Sequence, residues 1–151
     1  MQITVLATGS CRDAHILALE GNYISRMITG WNINVREIRD NPNPDIEATH
    51  QLAAWQSLPT PKMLVVLDEK GQSFGSEKFA AQLQEFANRG LRSIAFLIGG
   101  ADGVSERVKK EAGMVMSLSG LTLPHQLVRV FLAEQLYRAG TIMTNHPYHR
   151  V

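Results

Sequence analysis

The sequence predicts an α/β protein with a mostly parallel sheet, and three observations support this. Five β-prone runs alternate with five helix-prone segments along the chain, the pattern of strands joined by crossover helices. The run 63–67 is apolar without interruption, as strands covered on both faces are. Clusters of glycine, proline and asparagine separate the segments. We therefore expect a five- to six-stranded sheet with helices on both faces.

The first strand is predicted over residues 2–7, a β-prone run that stops at a Thr-Gly-Ser turn. Gly9 is expected to turn the backbone there. Asp13 is placed to cap a helix that runs to about residue 27, and Gly30 favours its end. Recurring Ile and Val then predict a second strand over 33–38.

The middle of the chain continues the alternation. Residues 40–44, Asp-Asn-Pro-Asn-Pro, break the chain before a helix predicted over about 45–57. The third strand is predicted over 63–67, and the polar residues 68–71 that follow it are expected to form a turn.

The second half begins with a helix for which Ser76 offers an N-cap and Gly90 an end. The remaining elements alternate in the same way. They are predicted as a strand over 93–98, a short helix over about 105–112, a strand over 114–118 and a long helix from about residue 123.

Composition narrows the class of protein. The chain has 151 residues, 44% of them hydrophobic and 19% charged, which favours one globular domain over 1–151. A net charge of +1 gives no overall polyanion signature, so contact with nucleic acid must come from local clusters. Cys11, the single cysteine, has no partner for a disulfide or a cysteine-based metal site. With no long apolar run, we expect a cytoplasmic protein without membrane or metal.

A candidate pocket follows from the predicted sheet. Ligands of open parallel sheets bind beyond the carboxyl ends of the strands, where the loops after residues 67, 98 and 118 are expected to meet. Gly99, Gly100 and Gly103 would let a ligand approach the backbone, although they form neither a dinucleotide fingerprint nor a phosphate loop. The turn 117–126 adds hydroxyls and backbone amides, but Pro124 and His125 also suit an ordinary helix start.

The last helix and the residues after it carry the other candidate groups. Its broad apolar face is typical of core or of a subunit interface. Arg129 and Arg138 fall on about the same side, where a phosphate or a structural carboxylate could satisfy them. The residues after this helix include a cluster suited to binding polyanions: His146, Pro147, Tyr148, His149 and Arg150.

Three stretches carry a resemblance to a known family. They are LIGGADG at 97–103, SLSGLTLPHQLVRVFLAEQLYRA at 117–139 and NHPYHR at 145–150. The chain resembles the bacterial ribosomal RNA large-subunit methyltransferase family H of the SPOUT superfamily. The similarity takes in LDEKG at 67–71 and spans about 63–150, whereas residues 8–62 depart most.

The resemblance implies a homodimeric enzyme with an α/β trefoil knot. It implies S-adenosylmethionine-dependent methylation of N3 of a pseudouridine in 23S rRNA, on assembled ribosomes. The implied cofactor contacts are Leu67, Gly100, Ser119, Gly120, Leu121, Thr122, Leu123 and Pro124. The candidate bases or hydrogen-bond partners are His125 and His149. The expected RNA contacts are Arg129, Arg138, Tyr148, His149 and Arg150.

Two other functions stay open at this point. One is a ribosome-binding or assembly factor that keeps the fold without turnover. The other is a nucleotide-binding regulator of flavodoxin-like architecture. Binding of S-adenosylmethionine separates the enzyme from the first, and binding of a phosphate nucleotide instead would favour the second.

Overall fold

The computed structural model describes residues 1–28 and 30–150. Within them, strands and helices alternate as predicted. The strands are β1 (Gln2–Thr8), β2 (Asn32–Ile38), β3 (Lys62–Ser73), β4 (Ser93–Ile98) and β5 (Met114–Ser117). The helices are α1 (Ala14–Ser25), α2 (Pro44–Gln56), α3 (Ser76–Asn88), α4 (Glu106–Lys109) and α5 (His125–Met143).

The described strands form one five-stranded sheet in the order β2-β1-β4-β3-β5. Every pairing is parallel, which confirms the predicted fold class. Strand β4 is central and all of its residues are buried. Ile98 at its end lies opposite Ala7 on one side and Leu67 on the other. The carboxyl ends of three neighbouring strands therefore share one edge.

Helices cover both faces of the sheet, as expected. One face packs against α1, α3 and α5 through a cluster that includes Phe79, Leu83 and Leu132. The other face packs against α2 and α4, with Leu52 and Val108 in its core. Each strand contributes side chains to both of these clusters, because successive side chains of a strand point to opposite faces of the sheet.

Strand β3 is longer than predicted, and the expected turn at 68–71 is wrong. The ladder with β5 is interrupted between Leu67 and Gln72, both of which pair with Met116. A Cβ atom on Gly71 would lie 2.6 Å from the Met116 carbonyl carbon, a distance that no side chain tolerates. The polar residues therefore bulge out of the ladder, and glycine lets the strand resume against β5.

Local chemistry accounts for the helix starts. The side chain of Asp13 accepts from the backbone N–H of His15 at 2.8 Å, which confirms it as the cap of α1. Ser76 is not the cap of α3; Gly75 occupies that position. The Ser76 hydroxyl instead donates to Gln135 Oε1 at 2.8 Å, because α5 packs beside this helix and offers an acceptor.

Candidate cofactor pocket and C-terminal tail

The three loops predicted to form a pocket do meet at one edge of the sheet. They enclose a cavity of about 520 Å³ that we call the first cavity. Its walls come from residues 67–70 after the core of β3, 98–103 at and after the end of β4, and 117–119 and 121–123 at and after the end of β5. Lys109, His125 and Val128 complete the lining. The prediction succeeds because parallel strands deliver their following loops to the same edge.

The turn after β4 depends on its glycines in two different ways. A Cβ atom on Gly99 would lie 2.8 Å from the carbonyl carbon of Gly103, so the turn itself requires glycine there. Gly103 has a φ of +77°, the left-handed region that favours glycine, and its N–H donates to the Gly100 carbonyl at 3.0 Å. A Cβ on Gly100 would meet Thr8 Cγ2 at 3.6 Å and the two carboxylate oxygens of Glu47 at 3.8 and 3.9 Å, which are ordinary van der Waals contacts. A methyl group would therefore fit at Gly100 without a clash.

The loop after β5 is held by its own hydroxyl groups. Ser117 Oγ donates to the Ser119 carbonyl at 2.8 Å, and the Leu121 N–H donates to Ser119 Oγ at 2.9 Å. Thr122 Oγ1 donates to Glu69 Oε2 at 3.2 Å and so ties this loop to the loop after β3. These contacts shape the cavity wall.

Most of the predicted cofactor residues line the first cavity. Those that do are Leu67, Gly100, Ser119, Leu121, Thr122 and Leu123. Gly120 and Pro124 belong to the same loop but are not among the lining residues.

The first cavity is mixed in charge and slightly negative. Its lining contains three carboxylates, from Asp68, Glu69 and Asp102, and two ammonium groups, from Lys70 and Lys109. Lys109 Nζ lies 2.5 Å from Asp68 Oδ2. This hydrogen bond lowers the pKa of Asp68 and raises the pKa of Lys109. With that pair neutralised, the cavity offers little attraction to a polyphosphate.

The two candidate histidines lie in different places. His125 is the first residue of α5 and lines the first cavity. His149 is outside the cavity, with Nδ1 3.2 Å from Arg138 Nη1 and Nε2 3.8 Å from Glu77 Oε1. Because arginine can only donate, Nδ1 of His149 is the acceptor in this contact. One chain alone does not bring the two histidines together.

The C-terminal tail, residues 145–150, packs against α5. The Tyr148 hydroxyl donates to Glu134 Oε1 at 3.0 Å, and its ring meets the ring of Tyr137 edge-on at 4.8 Å. The guanidinium of Arg138 lies over the Tyr148 ring, 4.8 Å from its centroid. Burial raises the pKa of Tyr148. The tail is thus anchored, while Arg150 at its end is exposed.

Arg129 does not have the expected exposure. Its Nε and Nη2 donate to Glu20 at 2.8 and 3.0 Å, and its Nη1 donates to Glu37 at 2.7 Å. These bonds raise the pKa of Arg129, and the bond from Arg129 lowers the pKa of Glu37. The Arg129 side chain is only 4% exposed. The prediction that Arg129 contacts RNA is therefore wrong. Its guanidinium binds structural carboxylates, which were the other candidate partner.

Comparison with known proteins decides the family. Residues 1–149 match the family described as "Predicted SPOUT methyltransferase". The chain belongs to the SPOUT methyltransferase family. The match includes residues 8–62, which the motif-based resemblance did not cover.

Relatives within the SPOUT family are similar over their full length. A protein of Neisseria meningitidis serogroup A named "Ribosomal RNA large subunit methyltransferase H" is 40% identical over 156 residues, 99% of each chain. A protein of the same name from Paraburkholderia xenovorans is 40% identical over 157 residues, 100% of each chain. The one from Rhodopseudomonas palustris is 38% identical over 159 residues, 99% of each chain.

Sequence reasoning missed several residues that hold the C-terminal tail of this SPOUT family member. Glu134 lies four residues before Arg138 and pairs with it at 2.5 Å, a spacing that could have revealed the contact. Arg26 gives no such signal: its guanidinium lies 4.6 Å from the Tyr137 ring centroid, across 111 positions of sequence. Only the fold brings these two residues together.

Across 1–28 and 30–150, no helix has both the length and the apolar character needed to cross a bilayer. The same stretch contains no group of three or more His, Cys, Asp or Glu side chains placed to hold a metal ion.

Proposed function

We propose that the protein methylates N3 of a pseudouridine in 23S rRNA, on assembled ribosomes, with S-adenosylmethionine as the methyl donor. The observation that carries the proposal is the first cavity, built from the SPOUT motif loops at the carboxyl edge of the sheet. Full-length similarity to relatives named as large-subunit rRNA methyltransferases supports the substrate class.

The residues of the first cavity fit this cofactor. Three carboxylates against two ammonium groups leave one net negative charge, which complements a cofactor that carries one net positive charge. Apolar side chains such as Leu67 and Val128 offer a surface for a flat ring, and the turn at Gly100 admits close backbone approach. Ser119, Leu121, Thr122 and Leu123 complete the contact surface, with Gly120 and Pro124 shaping their loop. When bound, S-adenosylmethionine supplies an electrophilic methyl group.

His125 is placed to handle the proton. The imide nitrogen of the target base gives up its proton when it is methylated, and a neutral imidazole can accept it or hold it in a hydrogen bond. His125 lines the first cavity at the start of α5, so its ring is held by a helix rather than by a free loop. The chain contributes chiefly by fixing the two reactants in line, which can lower the barrier by several kcal/mol.

We further propose a homodimer in which the tail serves the partner's cavity. In one chain the tail is anchored at Glu134, nine residues beyond His125 and so about 13 Å along the helix axis. Leu127 and Phe131, one turn apart on α5, are 41% and 47% exposed, and Leu17 of α1 is 40% exposed. These apolar side chains favour burial against a second copy.

In that dimer, the tail would provide the RNA-facing wall. Tyr148 offers a ring for stacking and Arg150 a fork for phosphate, and His149 and Arg138 stand beside them. Glu134 takes up part of the charge of Arg138, so we expect Arg150 to dominate the attraction to RNA.

The remaining parts of the proposal concern the fold as a whole. We propose a single domain over residues 1–151 that contains a trefoil knot, supported by membership of the SPOUT family. The close passage of Gly71 over Met116 indicates how tightly the segments of this region pack. Because ribosomes are its proposed substrate, the protein would act in the cytoplasm.

The test is mass mapping of rRNA after incubation of the purified protein with labelled cofactor and ribosomes that lack the modification. We expect one added methyl group on a pseudouridine of 23S rRNA. Ribosome binding without methylation or cofactor binding would favour the non-catalytic assembly factor. Binding of a phosphate nucleotide in place of the cofactor would favour the flavodoxin-like regulator.

A further inference from the structure

A second cavity lies on the other side of the turn that walls the first. It has a volume of about 490 Å³. Its lining consists of residues 8–10 at the end of β1, 40–42, 44, 47 and 51 after β2, 100–105 after β4, and 125–126 at the start of α5. Residues 100–103 and His125 line both cavities. A ligand in the second cavity would therefore be separated from a ligand in the first only by these shared residues.

The lining of the second cavity disfavours phosphate. Its charged groups are the carboxylates of Asp40, Glu47 and Asp102, and neither lysine nor arginine is among the described residues that line it. A phosphate placed there would be repelled by these carboxylates, and no cation would compensate for the loss of its hydration. RNA backbone would thus stay outside.

The same lining favours a neutral ring that carries N–H donors. Amide groups of Asn41, Gln51 and Gln126 and hydroxyls of Thr8 and Ser10 belong to the residues of the lining, and Gln51 Nε2 donates to Thr8 Oγ1 at 3.0 Å. Together with the carboxylates they supply many acceptor oxygens. A uracil-type base presents ring N–H groups and two carbonyls, which this mixture of acceptors and donors can satisfy.

Two polar atoms of this lining are short of partners. Ser105 Oγ and Gln126 Oε1 are buried, and neither has a hydrogen bond within the described part of the chain. Buried polar atoms are nearly always satisfied, so a bound group is one way to supply the missing bonds. Gln126 Nε2 donates to the Ser10 carbonyl at 3.3 Å, which keeps its amide at the cavity wall.

We propose that the second cavity receives the target base, a uracil-type ring turned out of the RNA stack, and presents its nitrogen across the Gly100 turn. This inference rests on the proposed function. Enzymes that modify a base in structured RNA or DNA commonly extrude it into a pocket beside the reactive group. Methyl transfer requires reacting atoms about 3–3.5 Å apart, and a cavity that shares its wall with the cofactor cavity meets that need.

The decisive variant is Ser10→Trp. Ser10 is exposed and lines the second cavity but not the first, so the indole would fill only the base site. We expect unchanged S-adenosylmethionine affinity by calorimetry and a loss of methyl transfer to ribosomes of about 100-fold. Asn88→Trp, an exposed position at the end of α3, is the matched control for adding an indole.

Gln126→Leu provides a second variant that adds no bulk. It removes the acceptor Oε1, and we expect a higher KM for ribosomes with unchanged cofactor affinity, partly restored in Gln126→Glu. Normal kinetics for Ser10→Trp and Gln126→Leu would overturn the inference while leaving the function intact. A wild-type protein that methylates no rRNA would overturn the function, and the inference with it.

Discussion

Arg129 of α5 makes two hydrogen bonds to the carboxylate of Glu20 on α1, at 2.8 and 3.0 Å, where both side chains are almost fully buried. A third bond joins Arg129 to Glu37 at the end of β2. Glu37 in turn accepts from the backbone N–H of Cys11 at 2.9 Å. The network therefore fixes the start of α5, which carries His125, against the loop after β1.

Removing Glu20 should destabilise the protein severely. In Glu20→Ala the buried guanidinium of Arg129 keeps only Glu37 as a carboxylate partner. Removal of one partner of a buried ion pair costs about 3–5 kcal/mol. The free energy of unfolding in urea measures the effect. Glu106→Ala is the control, because Glu106 is 84% exposed beside Lys109 and should cost less than about 1 kcal/mol. Equal unfolding midpoints for Glu20→Ala and wild type would contradict the structural role.

A second prediction concerns stability at low pH. The ion pair with Lys109 lowers the pKa of Asp68 below its ordinary value of 3.8. Its contribution to stability is therefore fully present above about pH 4 and is lost as the pH falls through the lowered pKa. We expect the difference in unfolding free energy between wild type and Asp68→Asn to shrink from pH 7 to pH 3. For Lys109→Met, the difference in unfolding free energy from wild type should shrink in the same way. If both variants differed from wild type by the same amount at pH 7 and pH 3, the ion pair would not be the cause.

The strands and the pocket could be predicted from local pattern. Strand β4 has the bounds that the sequence predicts, because a short apolar run between two turns is typical of a buried strand. The meeting of three loops followed from parallel strand geometry. The polar residues 68–71 were misread, since a bulge held by Gly71 against Met116 depends on a partner strand more than 40 residues away.

The partners of side chains were harder to predict than the elements that carry them. Arg129 and Arg138 look alike in sequence, yet one is buried between Glu20 and Glu37 and the other stacks on Tyr148. The helical spacing of these two arginines predicts only that they lie on about the same side of α5. Which charge each one meets is decided by how α1, β2 and the tail pack around α5.

A glycine series tests the first cavity. A Cβ on Gly100 finds no atom closer than 3.6 Å, so Gly100→Ala should bind S-adenosylmethionine almost normally. Gly100→Trp should weaken binding in calorimetry, because Gly100 lines both cavities and an indole there must displace the turn that walls the first, while circular dichroism stays native. Gly99→Ala should instead unfold the turn, since its Cβ would lie 2.8 Å from the Gly103 carbonyl carbon. Normal cofactor affinity in Gly100→Trp would remove this turn from the site.

The anchor of the tail can be tested apart from the cofactor. Glu134→Ala removes the acceptor of both Tyr148 and Arg138, and we expect faster hydrogen exchange across residues 145–150. Methylation of ribosomes should fall, with cofactor affinity unchanged. Glu77→Ala is the matched control, since Glu77 is 64% exposed and approaches His149 only at 3.8 Å. An ordered tail in Glu134→Ala would show that the ring contacts alone hold it.

The placement of the tail across a dimer has its own test, which uses two inactive variants. One chain ends at Thr144 and lacks the tail; the other carries Gly100→Trp and lacks a working first cavity. If each tail serves its partner, a mixed dimer contains one complete site: the intact cavity of the first chain and the tail of the second. Random pairing at equal amounts would restore about one quarter of wild-type activity.

A tail that served its own cavity would give a different outcome. The Gly100→Trp chain would keep its tail beside a blocked cavity, the shortened chain would keep an open cavity without a tail, and no pairing would restore activity. Co-expression, with different purification tags to isolate the mixed dimer, followed by methylation of ribosomes distinguishes the two cases. Because the tail is anchored about 13 Å along α5 from His125, we expect restoration.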